Sequence, residues 1–425
     1  MMHLVALNLT DLLLALWRGT IECDPSDDKR TWDWVVLIGA AWKNHGARVA
    51  STKQYLPGSF DRPPRNPAEK ISSGYKAWEF LTYVFGLGPG LFYKLLPEKY
   101  WKSFCKLAAA VRILHQRSIT KGQLLHAHQL LVEFIKEFEE MYYQRKESRL
   151  HFCHQSVHAL LHLAPEVSRL GPGAGYTQWT MERTIGNLGE EIRQPSNPFQ
   201  NLSERGVRRA RINSLIAMLP ELVPMKATPK TYEVLGDGYI LSMPDRSLRD
   251  ITEAEMAAMR AFFELKGITA EVDWTTKVKK WARLALPNGQ FVRTAWKEKV
   301  KQPSKVRMSR NIMLHRNKDV RSPDFAEVQY FFQVQVQGVE ETVALVSNFS
   351  TPDEQLCTES SGALLVCQYQ GALALEVIPV KDISNCIAMV PFHEPEDGRF
   401  FVCEKMGLEV AFLGGGREAD QREEA

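Results

Sequence analysis

The amino-acid sequence predicts an α+β protein of several domains, with helices in its first half and a small β-barrel in its second half. Three observations support this class. The chain has 425 residues, which is too long for one hydrophobic core. Apolar residues make up 44% of it, enough to fill more than one core. Their spacing is helical up to about residue 225 and alternates in short runs from about residue 276 onward.

These patterns divide the chain into four parts. A helical region covers residues 1–225, and a connector with one hairpin and one helix covers 226–275. The β-barrel domain covers 276–412. The polar tail, 413–425, has the composition of a disordered segment.

Start and stop signals place individual helices in the first region. Pro97 opens one helix, and Thr120 with Gln123 forms a capping box for the next. Apolar residues recur along that second helix with the spacing of a core-facing stripe. A further helix is predicted from about Leu150 to just before Pro165, since proline usually ends a helix.

Turn signals organise the strands. In the connector, the segment "YEVLGDGYILSM" predicts a hairpin, and a capping box of Thr252 with Glu255 predicts a helix. An Asn-Gly turn at 288–289 predicts a second hairpin, and alternation from Val328 onward predicts a long strand. Four more short strands are expected at 363–369, 373–379, 386–390 and 399–404. Regular short strands with turns are typical of a small barrel or sandwich.

Composition indicates the cellular compartment of the protein but does not indicate its binding partner. The net charge is only +3, so overall charge implies no particular partner. The seven cysteines include no CxxC pair, which argues for reduced thiols inside a cell. The apolar opening contains Asn8 and Asp11, lacks a basic start, and is too short and polar for a signal peptide or a membrane span. We therefore expect a nuclear or cytoplasmic protein that is not secreted and has no membrane partner.

Three histidines, His154, His158 and His162, fall on one face of the helix predicted after residue 150. The outer two are about 12 Å apart along a helix axis, so one zinc ion cannot bind all three. At most a neighbouring pair can be ligands. The favoured interpretation is a buried, hydrogen-bonded histidine face.

The strongest electrostatic signal lies between residues 277 and 310. Eleven basic residues there face a single acidic one, Glu298. Trp281, Phe291 and Trp296 alternate with the cations, as expected for a surface that stacks bases and neutralises phosphates. An equally good explanation is a sheet edge protected by lysines, with the aromatic residues in the core. The basic residues are Lys277, Lys279, Lys280, Arg283, Arg293, Lys297, Lys299, Lys301, Lys305, Arg307 and Arg310.

The segment "WTMERTIGNLGEE", residues 179–191, predicts a helix with Thr180 as N-cap and Glu182 in its first turn. A carboxylate there is stabilised by about 0.3–1 kcal/mol through the helix dipole alone. Gly186 and Gly189 share one face and each cost roughly 1 kcal/mol of helix propensity, so another element is expected close to that face. Local sequence leaves Glu182 as either a dipole-complementing residue or a catalytic acid.

Several long segments carry a family resemblance. They are "MHLVALNLTDLLLALWRGT", "TWDWVVLIGAAWKNHGARVA", "LPGSFDRPPRNPAEKISSGYKAWEFLTYVFGLGPGLFYKLLPEKYW", "LHFCHQSVHALLHLAPEV" and "QWTMERTIGNLGEEIRQPSNPFQNLSERGVRRARIN". Together they resemble the C-terminal half of fungal CACTA-type transposases of the Plavaka group, from residue 2 to about residue 220. A weaker match to the β-domain of those transposases, through "FAEVQYFF" and "LALEVIPV", extends to about residue 412.

The resemblance implies an RNase H-like fold with a helical insertion. In that Asp-Asp-Glu class, three carboxylates hold two divalent metals about 3.5–4 Å apart for DNA strand cleavage and transfer. The glutamate comes from a late helix that follows the insertion. Glu182 is therefore implied as the third acid and a metal ligand, with Arg183 near the DNA backbone.

The sequence also departs from the family pattern. It begins at Met1, inside a motif that lies well downstream in the family, so we expect most or all of the sheet and at least one catalytic aspartate to be missing. Five acidic residues are available as substitutes, but they fall in a helix and a loop and are interpreted as surface residues. They are Asp11, Asp24, Asp27, Asp28 and Asp33.

The resulting expectation is a truncated, transposase-derived protein. It would be inactive alone, with no bound cofactor, and would need Mg²⁺ only if the acid triad were complete. DNA is the expected partner. The predicted DNA contacts are Arg183, Arg205, Arg208, Arg209, Lys279, Lys280, Arg283, Arg293, Trp296, Lys297 and Lys299. The alternatives are an active transposase completed by further sequence, and a protein-interaction module built on a BAH-like or SH3-like barrel.

Overall fold

The computed structural model of the chain describes residues 2–192, 196–222, 231–267, 277–302, 305–315, 323–336, 338–392 and 398–407. The predicted tail, 413–425, lies outside the described residues. Helices occupy the first half and antiparallel strands the second, as the α+β class requires. Within the described ranges, no helix is both long enough and apolar enough to cross a bilayer.

Every regular element described before residue 223 is helical. Met2–Leu9, Leu81–Leu87 and Glu139–Tyr143 are π-helical stretches that adjoin α-helices. The α-helices are α1 (Thr10–Arg18), α2 (Gly39–Ser51), α3 (Pro67–Lys70), α4 (Ala77–Phe80), α5 (Gly88–Leu91), α6 (Glu98–Leu114), α7 (Lys121–Phe138), α8 (Gln155–His158), α9 (Leu160–Leu170), α10 (Trp179–Glu191) and α11 (Pro198–Met218).

The core of the helical half is aromatic. Trp17 of α1 packs edge-on against Phe92 and Phe104, with ring centroids 4.9 and 5.4 Å apart. Its indole N–H donates to the hydroxyl of Tyr142 over 2.8 Å, so the polar end of this buried ring is satisfied. The predicted capping box of α7 is confirmed, because Thr120 and Gln123 each accept a bond from the other's backbone N–H.

A buried ion pair ties the loop after α1 to the segment before α8. Arg149 is 1% exposed and donates through Nη2 to Asp27 Oδ1 over 2.7 Å. Its guanidinium also lies over the rings of Trp32 and Trp34, at 5.6 and 5.1 Å from their centroids. The interpretation of Asp27 as a surface residue was therefore wrong. A charge-assisted, two-point bond to Arg149 allows this carboxylate to be buried.

The predicted end of the histidine-bearing helix was also wrong. A 3₁₀ turn, Glu147–Phe152, precedes the short α8, and α9 continues through Pro165 as far as Leu170. Proline removes one amide bond from a helix interior. Pro165 itself lies on the exposed side of α9.

The described part of the second half contains three α-helices and fourteen strands. The helices are α12 (Glu253–Leu265), α13 (Ala295–Glu298) and α14 (Glu354–Glu359). The strands are β1 (Glu233–Gly236), β2 (Tyr239–Pro244), β3 (Arg249–Asp250), β4 (Lys277–Val278), β5 (Trp281–Ala285), β6 (Phe291–Arg293), β7 (Asn311–Leu314), β8 (Asp324–Val336), β9 (Val339–Asn348), β10 (Val366–Gln368), β11 (Leu375–Pro379), β12 (Ile383–Cys386), β13 (Ala388–Pro391) and β14 (Arg399–Cys403).

The Asn-Gly hairpin is confirmed. Strands β5 and β6 pair antiparallel with Leu284 opposite Val292. Gly289 has a φ of 81°, which only glycine adopts without strain. The connector hairpin, β1 and β2, pairs with β5, so it shares a sheet with the β-rich region.

The strands form open antiparallel sheets, so the prediction of a closed barrel was wrong. The large sheet runs β1-β2-β5-β8-β7-β12, with β6, β9 and β11 attached beside this path. Strands β5 and β7 pair with one edge of β8 and β9 pairs with the other, so closure would require β1 or β12 to pair with β11. Three of the later strands, β10, β14 and β13, instead form a separate sheet and are not available to close the first one.

That three-stranded sheet packs into the helical core. Phe401 of β14 lies so close to Gly90 of α5 that a Cβ atom there would be 2.8 Å from its ring. Phe392 contacts Tyr93 with ring centroids 5.3 Å apart, and Arg112 of α6 donates to the carbonyl of Ala363 over 2.7 Å. The helical half and the strands β10, β13 and β14 therefore share one hydrophobic core.

Helices α10 and α11 differ from the rest of the helical half. None of the residues described in α11 is buried, although the helix has 21 residues. Large apolar side chains are exposed along both helices. They include Met181, Ile185, Phe199, Val207, Ile212, Leu215 and Met218.

Candidate nucleic-acid interface

Glu182 lies in the first turn of α10 and is exposed. The N-cap is Gln178, two residues earlier than the predicted Thr180, which therefore lies inside the helix. Gln178 makes no side-chain cap, and its Oε1 instead contacts His3 Nδ1. Trp179 anchors the start of α10 through an edge-on contact with Trp78 at 5.4 Å.

The two glycines of α10 do not make room for a neighbour. A Cβ atom built on Gly186 or Gly189 would meet nothing within 4 Å. The expectation of a close approach on that face was wrong for the described residues. The helix is held instead by Trp78 at one end, and by ion pairs from Glu191 to Arg205 and Arg209 of α11 at the other.

The acidic residues considered as partners of Glu182 are occupied elsewhere or exposed. Asp27 is paired with Arg149, and Asp33 accepts bonds from Lys99 and Tyr100. Within the described ranges, no three His, Cys, Asp or Glu side chains lie close enough together to hold a metal ion. The role of Glu182 as a catalytic acid and metal ligand stays a prediction.

The arginines of α11 divide into two pairs. Arg205 and Arg209 point toward Glu191 of α10, with Arg205 Nη1 at 3.6 Å from its carboxylate. Arg208 and Arg211 are exposed. Arg183, in α10, is also exposed. These positions place positive charge on the outer surface of the two least buried helices.

Two of the predicted DNA contacts in the 277–310 stretch are buried. Lys280 is 8% exposed and its Nζ lies 3.7 Å from both Glu255 and the ring centroid of Tyr330. Burial lowers the pKa of Lys280. Arg283 is 9% exposed and its guanidinium stacks 3.9 Å from the Phe291 ring. Their charges lie in the interior and do not form part of the outer surface.

Further cations of the stretch bind groups of the protein itself. Arg310 donates to Glu327 over 2.6 Å and lies 3.4 Å from Glu298, and Lys299 lies 3.2 Å from Glu327. Burial raises the pKa of Glu298, whose Oε1 accepts the backbone N–H of Ser309. Arg307 donates to three carbonyl oxygens of the helical half, those of Leu56, Pro57 and Asp61.

A smaller set remains on the surface, and we call it the lysine patch: Lys279, Lys297, Lys301 and Lys305. The patch includes an accessible aromatic ring, since Trp296 is half-buried and Lys297 Nζ lies 4.0 Å from its centroid. Trp281 differs from it because it is only 6% exposed and belongs to the core of the large sheet. Arg293 is half-buried on β6.

Two basic residues that were not among the predicted contacts lie beside the lysine patch. Arg249 pairs with Asp245 over 2.6 Å, and this bond, with a contribution from Lys297, lowers the pKa of Asp245. Arg246 is exposed in the same loop. Both arginines belong to the short motif "DRSLRD", which precedes the basic stretch in the sequence and lies next to it in the structure.

The histidine face is exposed, so its interpretation as a buried face was wrong. His154 is the N-cap of α8, whereas His162 belongs to α9. His158 and His162 lie with their Nε2 atoms 3.2 Å apart, close enough for one ring to donate to the other. Val157 and Leu160 occupy the buried side of this segment instead.

Comparisons with known proteins identify no relative. No family model matches the chain, and neither the curated proteins nor the solved structures include a match.

Proposed function

We propose that this protein is derived from a transposase and binds DNA without sequence preference, and that as this chain it does not cut or join DNA. The resemblance of its long segments to Plavaka-type transposases supports the origin. An RNase H-like ancestry for residues 1–225 is part of the same proposal. The lysine patch around Trp296 supports the binding function.

DNA binding is inferred from one observation, the combination of exposed lysines and an accessible indole ring in the lysine patch. Lys297 lies over the face of Trp296, and the other lysines are exposed with no ion pair recorded among the described residues. Cations that are not already paired can release counterions when they meet phosphates. An accessible indole adds a surface on which an unpaired base can stack.

The placement of Glu182 supports the absence of cleavage activity. Two-metal catalysis needs three carboxylates that converge on ions about 4 Å apart. Glu182 is instead exposed on a helix whose glycine face is open and whose contacts are with α11 and Trp78. A complete Asp-Asp-Glu site with Mg²⁺ is therefore not part of the function proposed for this chain.

Salt-dependent titration of labelled duplex DNA tests the binding function. If all four lysines of the patch meet phosphates, log affinity against log salt has a slope of about −4, and replacing them by alanine removes most of it. A matched control replaces Lys43, Lys53, Lys70 and Lys121, which are equally exposed but lie in the helical half. Equal slopes of log affinity against log salt for the patch variant and the control would contradict the proposed interface.

Catalysis is tested in parallel with Mg²⁺ or Mn²⁺ and a supercoiled plasmid. We expect neither nicking nor joining from the purified chain. Metal-dependent cleavage that is lost in Glu182→Gln would overturn this part of the proposal and favour the alternative of an active transposase.

A further inference from the structure

Two exposed histidines of the helical half face each other across one helical turn. His158 is the last residue of α8, and His162 lies in the first turn of α9. Ala159 joins the two helices with helical backbone angles, so the chain keeps a helical path between the histidines. Side chains four residues apart on such a path project from the same face. The two rings therefore lie next to each other on the surface of the protein.

The opposite side of this segment is fixed to the hydrophobic core. Val157, Leu160 and Ala164 are buried, and α9 packs against α7. These contacts hold the backbone that carries both histidines. A pair of ligands held in this way binds an ion more tightly than a mobile pair, because less conformational freedom is lost on binding.

The distance between the two rings fits a shared metal ion. Their Nε2 atoms are 3.2 Å apart. Two imidazole nitrogens that each bind one ion at about 2.0–2.1 Å are separated by about 3.2 Å when the angle at the ion is about 100°. That angle lies between the right angle of square-planar or octahedral sites and the tetrahedral angle, so it suits nickel, copper and zinc.

The orientation of the rings favours a shared ion over a linear hydrogen bond between them. The ring centroids are 5.1 Å apart, and the ring planes are inclined at 71°. Rings that point head-on at each other in a linear N–H···N bond of this length would have centroids about 5.5 Å apart. Rings that both point at one bound ion would have centroids about 5.0 Å apart. The observed separation is closer to that of the second arrangement.

The chemistry of the two ligands selects the class of ion. Imidazole binds transition metals such as nickel, copper and zinc, whereas Mg²⁺ and Ca²⁺ prefer oxygen ligands. Among the described residues, no third His, Cys, Asp or Glu side chain joins the pair. Glu166, one turn further along α9, is bonded to Arg169 over 2.7 Å. Water can fill the other positions around the ion, since both rings are exposed.

We propose that His158 and His162 form a binding site for one divalent transition-metal ion of the nickel, copper and zinc class, with both Nε2 atoms as ligands and water in the remaining positions. Each ring is neutral in the bound state and carries its proton on Nδ1. The site contains no carboxylate, so it differs from the Mg²⁺ site that the family resemblance implies. It uses no residue of the lysine patch and does not depend on DNA binding.

Calorimetric titration of the full chain with Ni²⁺ tests the proposal, on protein purified without a histidine tag. Ni²⁺ is the suitable probe because imidazole binds it well, whereas thiolates select softer ions. We expect one ion per chain. An excess of Mg²⁺ should not displace it, because Mg²⁺ prefers oxygen ligands. Absence of one-to-one binding, or displacement of Ni²⁺ by Mg²⁺, would overturn the proposal.

Variants of the two histidines locate the site. His158→Ala and His162→Ala should each weaken Ni²⁺ binding at least about tenfold, because even the loss of a group that only orients a ligand costs about 10–100-fold in affinity. Both side chains are exposed, so neither variant should prevent folding, and thermal unfolding checks this. Unchanged affinity in the double variant would overturn the proposal.

A matched control uses two other exposed histidines of the helical half, His126 and His154. The variant with both replaced by alanine should bind Ni²⁺ like the parent protein. An equal loss of affinity in this control would show that the ion binds at scattered histidines and would overturn the site.

Electron paramagnetic resonance of the protein with one equivalent of Cu²⁺ counts the nitrogen ligands. We expect coupling to two equivalent nitrogens in the parent protein and to fewer in His158→Ala, because each imidazole contributes one ligand nitrogen. The same two-nitrogen coupling in the variant without His158 and His162 would contradict the assignment of these ligands.

Discussion

The helix pair α6–α7 and the helix pair α10–α11 both carry large apolar side chains, yet only those of the first pair are buried. Trp101 and Phe104 of α6 are each 1% exposed, whereas Leu215 and Phe199 of α11 are 50% and 86% exposed. Helical periodicity identifies the face that can be buried. It does not supply the element that buries it, so the apolar residues of α11 remain on the surface.

The largest expected effect is the contrast in stability between the two pairs. Phe104→Ala removes a buried ring that packs against Trp17 and Phe92, and should lower the free energy of unfolding by about 3–5 kcal/mol. Leu215→Ala in α11 should change it by less than about 0.5 kcal/mol. Urea unfolding curves measure both. A cost for Leu215→Ala similar to that of Phe104→Ala would mean that α11 is buried in solution.

The buried ion pair in the well-packed half gives a second large effect. Asp27→Asn leaves the charge of Arg149 buried without a counterion and should destabilise the protein by about 3–5 kcal/mol. Asp24→Asn, at an exposed carboxylate in the same loop, should have little effect. Unfolding at neutral pH with urea compares the two variants.

The same pair predicts a pH dependence. The bond from Arg149 lowers the pKa of Asp27 in the folded protein. The stability that it contributes is therefore fully present above the pKa of an unfolded aspartate, about 3.9, and is lost as the pH falls through the lower folded value. The difference between the parent protein and Asp27→Asn should shrink below about pH 4. A constant difference down to pH 2 would contradict the assignment.

Base stacking on Trp296 should give an intermediate effect. Trp296→Ala should weaken binding of single-stranded DNA by about 1–3 kcal/mol if a base stacks on the indole. Trp281 provides the matched control, because its ring is buried and a base cannot stack on it. Trp281→Phe should leave the affinity unchanged, as measured by fluorescence anisotropy of a labelled oligonucleotide.

The smallest expected effect concerns the two glycines of α10. Gly186→Ala and Gly189→Ala should each stabilise the protein by about 0.5–1 kcal/mol, because both positions are helical and the added Cβ meets open space. Thermal unfolding of the single and double variants measures this. Destabilisation would show that another surface approaches that face after all, as the sequence had suggested.

Local signals in the sequence determined a large part of the fold. The capping box of Thr252 and Glu255 and the Asn-Gly turn each specify their geometry within a few residues, and the structure contains both. The later strands were also placed to within a few residues, at β10, β11, β13 and β14. Signals of this kind depend only on neighbours along the chain, so one sequence is sufficient to read them.

The candidate interface was less predictable because charge alone does not reveal exposure. Lys280 and Lys297 belong to the same basic run, but one lies against Glu255 and Tyr330 in the interior and the other is on the surface. Arg246 joins the lysine patch from a loop more than thirty residues earlier in the chain. Contacts between distant segments decide both outcomes.

The sequence by itself determined the order of helices and strands, the turns that join them, and the balance of charge in each segment. Tertiary structure alone decided that the sheet stays open and that β10, β13 and β14 complete the helical core. The physical reason is the range of the interactions. Caps, turns and periodicity act over a few residues, whereas burial and the pairing of charges depend on which distant surfaces meet.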